Sequence, residues 1–360
     1  MRKTIVPGGL LLLGVLLHVG GQTVGQISYT EGDVQITRNG ALLADAIAPG
    51  FPLEDLDLIR TGDDGLVEIT TDPETGVDST ITVQNDTVFS LDLADLAAPA
   101  AHNLELLSGT LSLSVKTLAS SQNLDVNTDT ATMGIRGTVF EVTEIPSGEA
   151  LLSVSEGRVS CTTAAGAVLY GEPGQAVEDD AAAGWRNRPV SADGVASFRT
   201  QWRENHLANL RLHATDVLRR NANEYLTERS RFDAAYQSLA ERGDIVAKWI
   251  REEQGHSPLV LRDYRVERRQ VASRLFAAHR ELIRFEHVYF RIQRLEELYR
   301  QGVAFGEVQP GLSAQAFFAQ LDNDRATIDN RVRQLPYLVK IDRERFRVSR
   351  LPASEYVAPQ

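Results

Sequence analysis

The chain has one cysteine, Cys161, in 360 residues. That scarcity excludes an intramolecular disulfide and a cysteine-based metal site, and with no cysteine near the N-terminus it also excludes a lipoprotein anchor. Cys161 alternates with Val159 and Thr163 and reads as a small buried hydrophobe on a strand, an intermolecular bridge being the alternative. Histidine is equally uninformative. Of His18, His102, His206, His213, His256, His279 and His287, His206 and His213 lie two helix turns apart, too far to chelate one ion, and His279 and His287 are no closer. No His-Glu-x-x-His, P-loop or Gly-x-Ser-x-Gly pattern occurs. Gly32-Asp33 and Gly62-Asp63-Asp64-Gly65 supply too few oxygen ligands for a calcium loop. We expect no catalytic residue, no cofactor and no metal, and hence not an enzyme.

Basic residues are scarce in the first half. Residues 1–190 carry 9 Lys and Arg against 26 Asp and Glu, whereas residues 191–360 carry 28 against 23. The halves therefore have formal charges of −17 and +5. Phosphates would be repelled by the first half, which argues against nucleic acid as a partner. The modest surplus of the second half reads as a solvated helical face. The acidity at Asp55–Asp57, Asp63-Asp64 and Asp92–Asp95 reads as net charge for solubility, with a basic partner as the alternative.

Long apolar runs are absent except at the start. Met1-Arg2-Lys3 precedes Ile5 to Val19, a run interrupted by Pro7, glycines and His18. A basic n-region, an apolar stretch too short to span comfortably and small residues beyond it form the layout of a secretory signal over 1–25, with cleavage after Gly21 or Gly25. An uncleaved anchor is the alternative, and either exports the remainder to the periplasm or cell surface. After cleavage no transmembrane span is expected.

From Ile27 to Val177 short alternating runs recur with turn residues every eight to twelve positions, the spacing of an all-β sandwich or a β-solenoid. Asn39-Gly40 after Val34-Gln35-Ile36-Thr37 marks a hairpin. Gly62, Gly109, Gly137, Gly157 and Gly174 fall between alternating runs and are expected at positive φ. Asp179–Gly184 and Pro189 mark a boundary, with Trp185 capping a β edge or packing the junction. Beyond it the period changes. Tyr264, Val271, Ala278, Phe285, Ile292 and Tyr299 recur every seven residues, with Leu275, Leu282 and Tyr289 interleaved, so one helix runs from about Pro258 to Gly302, about 65 Å long. Leu210, Ala214, Val217, Phe232, Tyr236, Leu239, Val246 and Ile250 give an earlier arm. Phe317, Leu321, Ile328, Val332 and Leu335 give a later one, ending before Pro336. Tyr225, Phe232 and Tyr236 read as core. The expected architecture is α+β in separate domains: an all-β domain over 26–185, a linker at 186–192, an elongated antiparallel three-helix bundle over 193–350 and a tail at 351–360.

The most specific text is Thr128…Ala131-Thr132…Arg136-Gly137-Thr138-x-Phe140-x-Val142, followed by Glu156-Gly157-x-Val159 and Gly174-Gln175. With Gly32-Asp33-Val34, Leu58–Gly62 and Glu105–Leu111 upstream, this string resembles the FecR domain family over roughly Ile27–Val177. The resemblance implies an extracytoplasmic layered β domain. Its best-known members are membrane sensors that pass an outer-membrane transporter's signal to a cytoplasmic sigma factor. Here three residues precede the apolar run, so the sigma-binding segment of those sensors is not expected. Arg136, flanked by Ile135 and Gly137, reads as a partly buried tie between β layers, with an anion or partner contact as the alternative. Thr138, Phe140, Glu156 and Gly157 complete the motif as structural or partner-contact positions. The expected function is non-catalytic binding or scaffolding in the cell envelope, with an envelope protein or cell-wall component as partner. The alternative is a soluble signalling component that works through a membrane partner.

Overall fold

The computed structural model describes residues 22–44, 46–93, 101–118, 123–180, 183–255 and 259–350. Most of the expected signal segment, the tail at 351–360, His18, Asp95, His256 and Pro258 lie outside the described residues.

Alternation between apolar and polar residues makes the first half strands. In Val77–Val83, for instance, Val77, Ser79, Ile81 and Val83 are buried and the residues between them are not. The chain contributes β1 (Thr23–Glu31), β2 (Val34–Arg38), β3 (Ala41–Leu42), β4 (Pro52–Glu54), β5 (Leu58–Thr61), β6 (Leu66–Thr71), β7 (Val77–Val83) and β8 (Val88–Asp92). A long central strand follows, β9 (Ala101–Leu118). Then come β10 (Asn123–Asn127), β11 (Ala131–Ile135), β12 (Val139–Glu144), β13 (Ala150–Glu156), β14 (Val159–Thr163), β15 (Val168–Gly171), β16 (Gln175–Asp180) and β17 (Gly184–Pro189).

These strands pair in two sheets that share β9. One runs β4-β1-β6-β7-β9-β12-β13-β16-β17. The other runs β3-β2-β5-β8-β9-β10-β11-β14-β15, antiparallel except at β9–β10. We call them the β1 sheet and the β2 sheet. Strand β9 changes sheet at Gly109: residues up to Ser108 pair with β8, and residues from Gly109 onward pair with β12 and, from Leu111, with β7. Gly109 has φ +102°, and a Cβ there would lie 2.3 Å from Thr87 Oγ1, so no other residue fits this crossing. A single apolar cluster draws on both sheets, from Ile27, Ile69 and Ile81 to Ile36, Ile59 and Phe89. Cys161 is buried in it, as expected, and burial pushes its thiol up to about 12.

The two ends of the sheets repeat one another. Glu31-Gly32-x-Val34 and Glu156-Gly157-x-Val159 each turn from a strand of the β1 sheet into one of the β2 sheet. Hairpins β2–β3 and β14–β15 follow, and the strands after Pro49-Gly50 and Pro173-Gly174 return to pair with β1 and β13. The β2–β3 turn has Asn39 at φ 50° and Gly40 at φ 80°, the hairpin geometry its sequence calls for.

The second half is helical: α1 (Val195–Leu212), α2 (Ala214–Ala240), α3 (Gly243–Glu253), α4 (Leu261–Arg300) and α5 (Ala314–Arg350), with a small hairpin of β18 (Glu307–Gln309) and β19 (Leu312–Ser313) before α5. The heptad residues of α4 from Tyr264 to Ile292 are buried. Phe285 of α4 stacks on Phe232 of α2 at 5.2 Å, and Tyr225 of α2 meets Phe317 of α5 edge-on at 5.9 Å. The early arm breaks at His213 and at Arg242.

Several expectations need correction. Helix α5 does not stop at Pro336 but continues to Arg350. Proline removes one helical hydrogen bond, yet Leu338, Val339 and Ile341 beyond it are buried. Arg345 holds Glu252 at 2.7 Å, and Asp342 holds Arg268 and Tyr264, each at 2.9 Å. The expected linker at 186–192 is largely strand β17, with half-buried Trp185 opposite Asp179 on the edge. Residues 23–25, assigned above to the signal, open β1, and Val24 is wholly buried. Gly62 does not have positive φ; it is pressed instead against Asp33, whose Cβ would lie 3.0 Å from an added Cβ.

The halves are not separate bodies. Arg343 reaches Asp92 at 2.7 Å, Arg294 reaches Asp86 at 2.9 Å, Lys340 reaches Asn39 at 2.9 Å and Arg60 reaches Gln293 at 3.2 Å. Val88 and Leu107 of the β half belong to the helical apolar cluster. The basic partner suited to the acidic first half is thus the chain's own second half.

Candidate functional site: the open end of the β2 sheet

The outward face of the β2 sheet is written in register. Thr37, Leu58, Ser90 and Glu105 are successive cross-strand neighbours, and Asn127, Thr132, Thr162 and Val168 continue the row. The first four lie under α4 and α5, where Leu58, Ser90 and Glu105 share a cavity with His279 and Glu286. Among the described residues no helix covers the other end. There a second row, Asp125, Gly134, Ser160 and Tyr170, forms the floor of an open groove of about 430 Å³.

Of the motif residues, Arg136 lines this groove. Val139 of β12 pairs with Glu156 of β13, which sets the turn at Arg136–Thr138 against the turn at Glu156–Arg158. The contact is close: Gly157 has φ +79°, and an added Cβ would lie 2.7 Å from the Gly137 carbonyl oxygen. Thr138 and Phe140 are buried at 1% and 2% exposure, whereas Gly137, Glu156 and Gly157 are exposed. Thr138 and Phe140 therefore build the turn pair and cannot touch a partner.

Arg136 is exposed and has no hydrogen bond or ion pair among the described residues. The buried tie expected of it does not exist. Strand β11 ends at Ile135, which points into the core, and alternation turns the next side chain outward. Arg158 stands at the same groove with its guanidinium 3.8 Å from the Tyr170 ring centroid and 3.0 Å from the Glu172 carboxylate. Across the floor, burial raises the Asp125 carboxyl. Ser160 donates to the Gly134 carbonyl at 3.3 Å. Two guanidinium forks, one aromatic face, one carboxylate and a floor without a side chain at Gly134 suit a carboxylate-bearing, extended polar segment. The grouping offers no paired nucleophile and base.

Asp125, Arg158 and Tyr170 were not singled out from the sequence. They are remote in order, and the signal that joins them is the register of three strand pairings. Among the described residues no group of three or more His, Cys, Asp or Glu side chains could hold a metal ion. No helix among them is long and apolar enough to cross a membrane.

Comparison with known proteins agrees with the motif. Residues 57–160 match the family model described as FecR protein, a span that holds both motif turns and ends at Ser160 on the groove floor. Two crystal structures of a candidate anti-sigma factor from Parabacteroides distasonis ATCC 8503, at 1.65 and 2.50 Å resolution, are each 16% identical to the chain with a TM-score of 0.33. The likeness covers 39% of this chain and 63% of that one. No curated protein matches.

Proposed function

We propose that this chain, with its FecR segment at 57–160, is an exported, non-catalytic binding module of the cell envelope. Its partner is an envelope protein that lays a carboxylate-bearing segment across the open end of the β2 sheet. The observation that carries the reading is Arg136, a motif arginine that stands exposed beside Arg158 and, among the described residues, unpaired, on the end of the sheet that the described helices leave uncovered. An exposed arginine adds little to stability, and the fold does not need this one. The helical half serves as a docked scaffold. Export follows from the basic start and the apolar run Ile5–Val19, and cleavage after Gly21 rather than Gly25 leaves β1 whole.

The test is a photo-cross-linking group placed at Tyr170 in the full chain, in intact envelopes, with and without Arg136→Glu and Arg158→Glu together. A discrete cross-linked protein product should disappear in the charge-reversed chain while its melting temperature stays that of the parent. Unchanged products would refute the site, and products with cell-wall material in place of protein would refute the partner class. The FecR match also supports a second reading, a signalling component that works through a membrane partner. In that case the cross-linked protein is membrane-embedded, and its loss changes transcription.

A further inference from the structure

The seam between the halves holds more carboxylates than cations. Arg291 of α4, 5% exposed, donates to Asp129, to Asn221 Oδ1 at 2.9 Å and to Glu224 at 3.4 Å, and stands 4.0 Å from Glu144. Next to it His287 lies 3.6 Å from Glu105 on β9. Glu286, 9% exposed, opens into a cavity of about 50 Å³ between α4, α5 and the β2 sheet. It has no hydrogen-bond or ion-pair partner among the described residues.

The other charged groups around that cavity are Asp55, Asp92, Glu105, His279, Arg333 and Lys340. Arg343 bridges Asp55 and Asp92, and Lys340 is taken up by Glu54 and Asn39. Arg333 lines the α5 wall, and Arg220 donates to the Ser147 carbonyl while lending a field to Glu224. Glu144 also lines a second cavity with Asp86, Arg203, Glu204, Arg211, Arg294 and Glu297, in which Arg294 is taken up by Asp86 and Glu297. Glu105, Asp129, Glu144, Glu224 and Glu286 thus face Arg291, Arg220, Arg203, Arg211 and a titratable His287, with Glu105 and Glu286 lining one cavity.

We propose that docking of the helical half onto the β2 sheet is proton-coupled: the seam binds protons as it closes and loosens as pH rises. A buried carboxylate beside a second carboxylate ionises only at the expense of lost solvation and added repulsion, and Glu286 stands in that position against half-buried Glu105. Burial pushes the Glu286 carboxyl up to about 8, with Glu105 adding to it. Burial likewise pushes Glu144 up to about 7 against the opposing fields of Arg291 and His287. For His287, burial is outweighed by Glu105 and Glu144, and its pKa is raised.

All three groups hold protons in the closed seam that they release when it opens. Their contribution is present in full at low pH and is lost as pH rises through about 7 and 8. His279, lowered to about 4 by burial, has the opposite sign. It is neutral in both states above its ordinary range, so it does not offset the others there.

The experiment is hydrogen exchange on the full chain from pH 6 to 9, corrected for the intrinsic pH dependence. Protection at Leu104, Glu105 and Leu282–Ile292 is compared with that at Leu152 and Val177 on the β1 sheet. The seam-to-reference ratio should fall with pH, by up to roughly tenfold per pH unit for each proton released. Glu286→Gln, which fixes the neutral form, should flatten that fall, and Glu144→Gln is the second variant should the first not fold. A pH-independent ratio in the parent chain, or a slope unchanged in both variants, would overturn the proposal.

Discussion

Replacing Arg291 by methionine isolates the electrostatic content of the seam. The side chain is 5% exposed, so its removal leaves buried groups behind it: Asn221 at 1% and Glu144 at 3% exposure, with Asp129 and half-exposed Glu224 alongside. Methionine keeps most of the volume and all of the apolar stem, so cavity formation contributes little. Breaking a buried ion pair by removing one partner costs about 3–5 kcal/mol. Glu144 can escape part of that cost by binding a proton, because it already sits high. The deficit should therefore be near the top of the range at pH 8.5 and shrink towards pH 5.5, below the value of about 7 to which burial pushes Glu144. Urea denaturation of parent and variant at both pH values, followed by circular dichroism and by tryptophan fluorescence, measures it. A deficit below about 1 kcal/mol at pH 8.5, the range of a surface pair, would refute the assignment of Arg291 as a buried counter-ion. So would a deficit independent of pH.

Gly157→Ala should destabilise the chain by about 1–3 kcal/mol, since it forces a Cβ into the Gly137 carbonyl at positive φ, and a chemical melt within 0.5 kcal/mol of the parent would contradict the described turn contact. Cys161 should resist thiol reagents in the folded protein at neutral pH and react on unfolding, because its pKa is pushed up to about 12 in the apolar core; rapid labelling of the native chain would place it elsewhere.

What could be read from the sequence was what the sequence encodes locally. The seven-residue recurrence from Tyr264 to Ile292 fixed the buried face of α4 because one side of a helix is set by spacing alone. Asn39-Gly40 fixed its hairpin for the same reason. Pro336 misled because a local rule met a tertiary answer, in which the Arg345–Glu252 pair and buried Leu338 and Val339 hold the helix on past the proline. Arg136 has apolar neighbours in sequence but not in space, because alternation from Ile135 turns it outward. Arg291 gave no signal, since its partners Asp129 and Asn221 lie 162 and 70 residues away. The one trace of the seam in the sequence was the difference in sign, −17 against +5, since the acidic half receives Arg294, Lys340 and Arg343 from the helices.

Because β9 belongs to both sheets, neither sheet can be completed before residues 101–118 are in place. Strands β7 and β8 upstream and β10 and β12 downstream all take their edge from it. Helical turns form within about a microsecond from neighbours in sequence, whereas these pairings, and still more the contact of Lys340 with Glu54 across 286 residues, must first pay the entropy of closing long loops. Docking of α4 and α5 thus depends on strand pairings of far greater sequence separation than the contacts within either helix. A deletion within β9 would remove the common edge of two sheets, and with it the surface on which α4 and α5 rest.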